Sequence, residues 1–112
     1  MTIKELIDYV GEVRPNSYGY PTMAIWINEI EGAVQTEIMG IHPDDAVSYD
    51  GNTSPETVLL VGSPHAKLYA WYVVAMIDLV TMGDAAYENS YRIFNNFWNE
   101  YARWYLRTHR TV

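Results

Sequence analysis

The chain has 112 residues, no cysteine and a formal net charge of -7. That length holds one domain, residues 1–112, and an apolar content of 49% is enough for a packed core. The missing thiols exclude a disulfide framework, a thiolate metal site and a cysteine nucleophile, and the acidity argues against gripping a phosphate backbone, which needs clustered Lys and Arg. In chain order, Thr2-Ile-Lys-Glu5 is a capping box, with Thr2 as N-cap and Glu5 at the third helical position. Ile3, Leu6, Ile7, Val10 and Val13 mark one face of the helix it opens, and Pro15 ends that helix by restricting Arg14. A turn-rich stretch leads to a second helix starting near Pro21 or Thr22. Its buried stripe is Met23, Ile27, Ile30, Val34 and Ile38, with Glu29, Glu31, Gln35 and Glu37 mostly on other faces. Gly40 stops it in the left-handed conformation, with Pro43 just beyond.

Residues 41–62 carry weaker signals. Asp50-Gly51 marks a turn, and Thr57–Val61 is a β-prone run. Ala46–Tyr49 could meet it in a small hairpin at 46–61, whose edge (Tyr49, Val58, Leu59, Leu60) could pair with a neighbouring subunit. Ser63-Pro64 supplies an N-cap and a first-turn proline for a third helix, in which Ala66–Met82 is apolar nearly all round. Such a helix is the central, buried one. Gly83 ends it, and Asp84 can cap a last helix running to about Arg110. At ~1.5 Å per residue that helix is roughly 40 Å long, enough to extend beyond the body of the domain. Tyr87, Tyr91, Phe94, Trp98, Tyr101 and Tyr105 recur along it at four and three, opposite a solvated face of Arg92, Asn96, Asn99, Arg103 and Arg110. The expected fold is therefore all-α: about four helices packed around a central apolar one, with a long C-terminal helix.

Charge is divided unevenly. Residues 1–60 carry ten acids against two cations, and residues 61–112 carry five cations against four acids. An acidic front half and a basic, aromatic last helix suggest two contact poles. Glu5 and Asp8 stand where a signal peptide would carry its apolar run, and the apolar stretch Leu68–Ile77 is about half a membrane span. A cytoplasmic chain without membrane contact is expected.

Chemistry-bearing residues do not converge. His42, His65 and His109 fall in separate segments. His42 with Asp44 and Asp45 is the best metal candidate, against the plainer reading of a capped turn and a solvated imidazole. Asp78, among Met76, Ile77, Leu79 and Val80, needs a partner. A structural ion pair, for instance with an arginine of the last helix, is favoured over a raised-pKa catalytic acid. No nucleotide-binding loop, nucleophile elbow or carboxylate pair stands out, so no catalytic, cofactor-binding or metal residues are assigned, and no enzyme activity is expected. Phe94, Phe97, Trp98 and Trp104 read mainly as core. Ten tyrosines are many for one small core, so some of Tyr18, Tyr20, Tyr49, Tyr101 and Tyr105 are candidate contact residues. Arg103, Arg107 and Arg110 complement the helix dipole or dock on an acidic surface, of a partner or of the next subunit.

The segments TIKELIDYV and AIWINEIEGAVQTEIM, and above all PHAKLYAWYVVAMIDLVTMGDAAYENSYRIFNNFWNEYARWYLRTH, resemble the head–tail connector, or head-completion adaptor, family of tailed phages and prophages. The resemblance covers nearly the whole chain and is one of helices and aromatics, without a catalytic signature. It implies a homo-oligomeric ring, usually of twelve copies, docked beneath the portal protein after DNA packaging. The next neck or tail-completion protein binds that ring, and DNA passes through without specific binding. The protein would sit in the virion neck, and in the host cytoplasm during assembly. The family's C-terminal segment engages the portal, which here places Tyr101, Arg103, Trp104, Tyr105, Arg107 and Arg110 at a partner interface. Two other classes compete. An acidic phage-encoded binding module, a DNA mimic or host-enzyme inhibitor, would array its acids on one continuous face. A small helical enzyme would bring Asp78 and a histidine into one pocket.

Overall fold

A computed structural model describes residues 1–109. It contains four α-helices: α1 (Ile3–Val13), α2 (Tyr20–Ala33), α3 (Lys67–Thr81) and α4 (Asp84–Thr108). A wide π-helical turn, Val34–Ile38, extends α2, and Pro43–Asp45 forms a single 3₁₀ turn. No strand forms among the described residues, and none of their helices is long and apolar enough to cross a membrane. The body measures 47 × 32 × 23 Å.

The central position of α3 follows from its composition. Leu68, Tyr69, Val73, Val74 and Ile77 are all buried, and α1, α2 and α4 each pack against this helix. The turn into α4 is tight. Gly83 adopts φ +94, which a side chain would strain, and its N–H donates to the Asp78 carbonyl. Asp84 is thus the first helical residue instead of the cap, and its acid favours the helix N-terminus through the dipole. The α3–α4 pair runs antiparallel in a steady register. Asp78 meets Ser90, Tyr72 meets Phe94 and His65 meets Trp104. With 25 residues α4 is roughly 38 Å long. It does not leave the body early: Trp104 and Tyr105 still pack on the core, and every described residue from Leu106 on is exposed.

The capping box of α1 forms as its spacing requires, with Thr2 Oγ1 accepting from the Glu5 N–H at 3.1 Å and Glu5 Oε1 from the Thr2 N–H at 3.0 Å. Gly40 takes φ +71, as its position after the second helix demands. The start of α3 differs from expectation. The chain turns through Gly62–His65, with the His65 N–H on the Gly62 carbonyl, and the helix begins at Lys67. Ser63 therefore does not cap it.

Residues 46–61 make no hairpin, because their backbone groups are satisfied elsewhere. Val58 pairs with Thr2 in an isolated antiparallel bridge, flanked by Ile3 N–H to Thr57 O and Leu59 N–H to Met1 O. The other half of the loop is held by polar side chains of the second helix. Gln35 exchanges two hydrogen bonds with Val47, at 2.8 and 2.9 Å, and Asn28 Oδ1 accepts from the Tyr49 N–H at 2.7 Å. Asn28, Glu31 and Gln35 lie on one side of that helix and take the place of a neighbouring strand. Tyr49 and Leu59 are consequently core residues, whereas Val58 and Leu60 are exposed.

Candidate functional site

Two carboxylates lie wholly inside the molecule. Asp78 sits near the C-terminal end of α3, between Arg14 at the end of α1 and Ser90 on α4. Ser90 Oγ donates to Asp78 Oδ2 at 2.5 Å, and Arg14 Nη2 donates to the same oxygen at 3.2 Å. Arg14 Nε stands 2.8 Å from Oδ1, a close charge contact without hydrogen-bond alignment. An ion pair was expected here, but the cation comes from α1 instead of the last helix. The reason is placement: Arg92 lies about 200° round α4 from Ser90, and Arg103 and Arg107 lie turns beyond it, while Pro15 ends α1 with Arg14 beside Asp78. No histidine bonds to Asp78, so the geometry of a two-residue acid–base site does not form.

The second buried carboxylate, Glu31, lies where the sequence pattern put a solvated residue. It is four residues after Ile27 and three before Val34, in the middle of the apolar stripe, and it is fully buried. Tyr69 Oη donates to its Oε1 at 2.5 Å; Tyr49 Oη and the Leu60 N–H each donate to its Oε2 at 3.0 Å. The Tyr69 hydroxyl in turn accepts the Val61 N–H at 2.8 Å. Burial, then the Glu31 charge, pushes the phenols of Tyr49 and Tyr69 well above the ordinary tyrosine range. Gln35 is buried beside this network, so two residues assigned to other faces are interior ones.

The proposed contact residues divide by exposure. Arg103 and Arg107 are exposed, and Trp104 and Tyr105 are half-buried. Tyr101 is 3% exposed and belongs to the core, so it offers no contact surface; burial first, then Tyr105 and Glu31, pushes its phenol up to about 12. Arg110 lies outside the described residues. Two histidines that the sequence left apart line one cleft of about 210 Å³ with Met39, Leu60 and Trp104. There the His65 ring lies 5.0 Å from Trp104, and His109 stacks on Tyr105 at 3.8 Å. His42 is exposed and its Nδ1 accepts the Asp44 N–H, closing the 3₁₀ turn; among the described residues no three potential ligands cluster for a metal.

A larger groove of about 350 Å³ opens between α2, α3 and α4. Ile30 and Phe94 form its floor, Tyr72, Tyr91 and Trp98 its half-buried walls, and Glu37 and Asn95 its exposed rim. Glu29 stands beside it and accepts from Tyr72 Oη at 2.7 Å. These features belong to an all-α protein with two buried polar networks and with charged and aromatic residues on its surface. No protein-family model matches the chain, and the searches of curated proteins and of solved structures return no match either.

Proposed function

We propose that the protein is a head–tail connector, a structural adaptor that forms a ring between the phage portal and the next neck or tail-completion protein. The observation that carries this reading is the pairing of exposed, oppositely charged helix faces. Glu5, Asp8 and Glu12 project from α1 with Lys4 among them, while Arg103 and Arg107 project from the last turns of α4 on either side of an exposed Leu106, beyond the exposed acids Asp84, Glu88 and Glu100. Copies bearing such faces can associate head to tail, and a heterologous contact that closes gives a ring. Repetition around a ring makes modest contacts add up without a large interface per copy. An acidic chain also suits a conduit, since it would let DNA slide instead of holding its phosphates. The resemblance of its helix and aromatic pattern to connector proteins is in keeping with the same reading. Both buried carboxylates are consumed by internal hydrogen bonds, which favours a structural part over an enzyme.

The test is deletion of the gene from an inducible prophage that carries it, followed by electron microscopy of the lysate. DNA-filled or DNA-leaking heads and separate tails are expected; normal virions would overturn the reading. The alternative is an acidic, non-catalytic phage-encoded binding module. It draws on the α1 acids, but Lys4 Nζ, 3.1 Å from Asp8, puts a cation into that row.

A further inference from the structure

We propose that the groove walled by Tyr72, Tyr91 and Trp98 is a receptor for the guanidinium groups of Arg103 and Arg107 on a second copy of this chain. Aromatic faces around an apolar floor, with a carboxylate at the rim, are the elements that recognise a cation through its charge and its flat surface at once. Arginine suits them better than lysine, because its planar fork can stack on a ring while donating to Glu37. At about 350 Å³ the groove takes side chains and not a large ligand.

The chain's own cations narrow the occupant. Lys4 is tied to Asp8, Arg14 to Asp78, and Arg92 donates to Asn89, while Lys67, exposed at the start of α3, lacks the planar fork of an arginine. Arg103 and Arg107 form no ion pair among the described residues, although Glu100 stands one turn before Arg103, and they flank Leu106, which is 66% exposed. Helix geometry forbids a copy from filling its own groove. At 3.6 residues per turn, Arg103 and Arg107 point roughly 130–170° away from the mean direction of the α4 positions 91, 94, 95 and 98 that line it. Receptor and donor therefore lie on opposite sides of one rigid helix. Each copy offers an unfilled groove and an unused pair of arginines, so the contact is heterologous.

The contact rests on the groove and not on the connector reading, and it takes Arg103 and Arg107 to the groove of a neighbour in place of that neighbour's α1 acids. A connector ring could use it, yet a chain of another function could self-associate the same way, and the deletion phenotype and the association experiment fail separately. Two variants at exposed positions provide the test. The first, Glu37→Lys with Asn95→Lys, disables the receptor; the second, Arg103→Glu with Arg107→Glu, disables the donor. Sedimentation velocity up to about 1 mM protein, where contacts of millimolar affinity register, is the readout. Unaltered circular dichroism shows that each variant folds. The parent chain should associate beyond a dimer, each variant alone should remain monomeric, and an equimolar mixture should stop at a heterodimer. A parent chain that stays monomeric, variants that associate like the parent, or a mixture that grows past the dimer would each overturn the proposal. Quenching of tryptophan fluorescence by N-acetyl-arginine amide adds a second arm. Such binding in a parent chain that never self-associates would assign the groove to a different basic partner and overturn the second-copy assignment.

Discussion

Asp78 and Glu31 are equally buried, yet the fold neutralises them by different means. Asp78 meets a cation: Arg14 reaches it from α1, Ser90 adds a hydrogen bond from α4, and the arginine side chain remains 37% exposed. Glu31 has no cation among its hydrogen-bond partners. It is held by two phenols and a backbone amide, and the phenol of Tyr69 relays a second amide. The first arrangement ties three helices together and opens on one side to water. The second is closed, and it secures a loop that has no regular structure of its own. An ion pair tolerates some rearrangement of a long side chain, whereas a carboxylate satisfied only by fixed dipoles depends on every donor staying in place.

The contrast predicts that Glu31 is the more costly to remove. Glu31→Leu keeps an apolar side chain in the space but accepts no hydrogen bond. It strands the Tyr49 and Tyr69 hydroxyls and the Leu60 N–H, for an expected loss of about 3–5 kcal/mol. Urea denaturation should show that loss, and limited proteolysis should cut residues 46–61 first. Arg14→Met leaves the buried Asp78 with the Ser90 hydrogen bond alone, but water can enter where the 37% exposed arginine stood, so about 3 kcal/mol, the low end for a broken buried pair, is expected. If Arg14→Met proved the more destabilising change, cation-free neutralisation would not be the more fragile of the two.

The same two sites show what could be read from the sequence. Asp78 stood out because it interrupts an apolar run, and only the identity of its arginine was missed. Long-range pairing between α1 and α3 leaves no trace in local spacing. Glu31 was misplaced although its position was legible, since Ile27, Glu31 and Val34 recur at four and three. The charged residue type outweighed the period. The loop was misread for a related reason. Thr57–Val61 has strand-forming residues, but only Val58 pairs, and its partner is the N-terminus. Asn28, Glu31 and Gln35 serve the remaining backbone in a role that no strand propensity encodes. The four helices and the buried α3 were readable throughout, because amphipathic and all-apolar patterns report burial directly.

The individual donors should rank below the acceptor. Tyr69→Phe removes a donor to Glu31 and also the acceptor of the buried Val61 N–H, so about 1–2 kcal/mol is expected. Tyr49→Phe removes only its donor and should cost less. Because both phenols share one carboxylate, the double variant should depart from additivity by about 0.5 kcal/mol or more in a double-mutant cycle. Strict additivity would mean that the two phenols bind Glu31 independently, without a shared network.

A change of slope at alkaline pH separates the two sites cleanly. Tyrosines in the unfolded chain lose their protons near pH ~10. In the folded chain burial, reinforced by Glu31, holds the Tyr69 proton to higher pH, and Tyr101 keeps its proton to about 12. Above pH ~10 the folded state therefore binds more protons than the unfolded state, and stability must fall as pH rises, whereas below that point these groups contribute no slope. Each such tyrosine adds up to about 1.4 kcal/mol per pH unit to the fall. Denaturation of Tyr69→Phe between pH ~9 and ~11 should show a shallower decline than the parent chain by about that amount. Arg14→Met should decline in parallel with the parent, because no tyrosine hydrogen-bonds to Asp78. Equal slopes for the parent and Tyr69→Phe would show that this phenol releases its proton alike in both states, and the closed, dipole-held picture of Glu31 would lose its main chemical consequence.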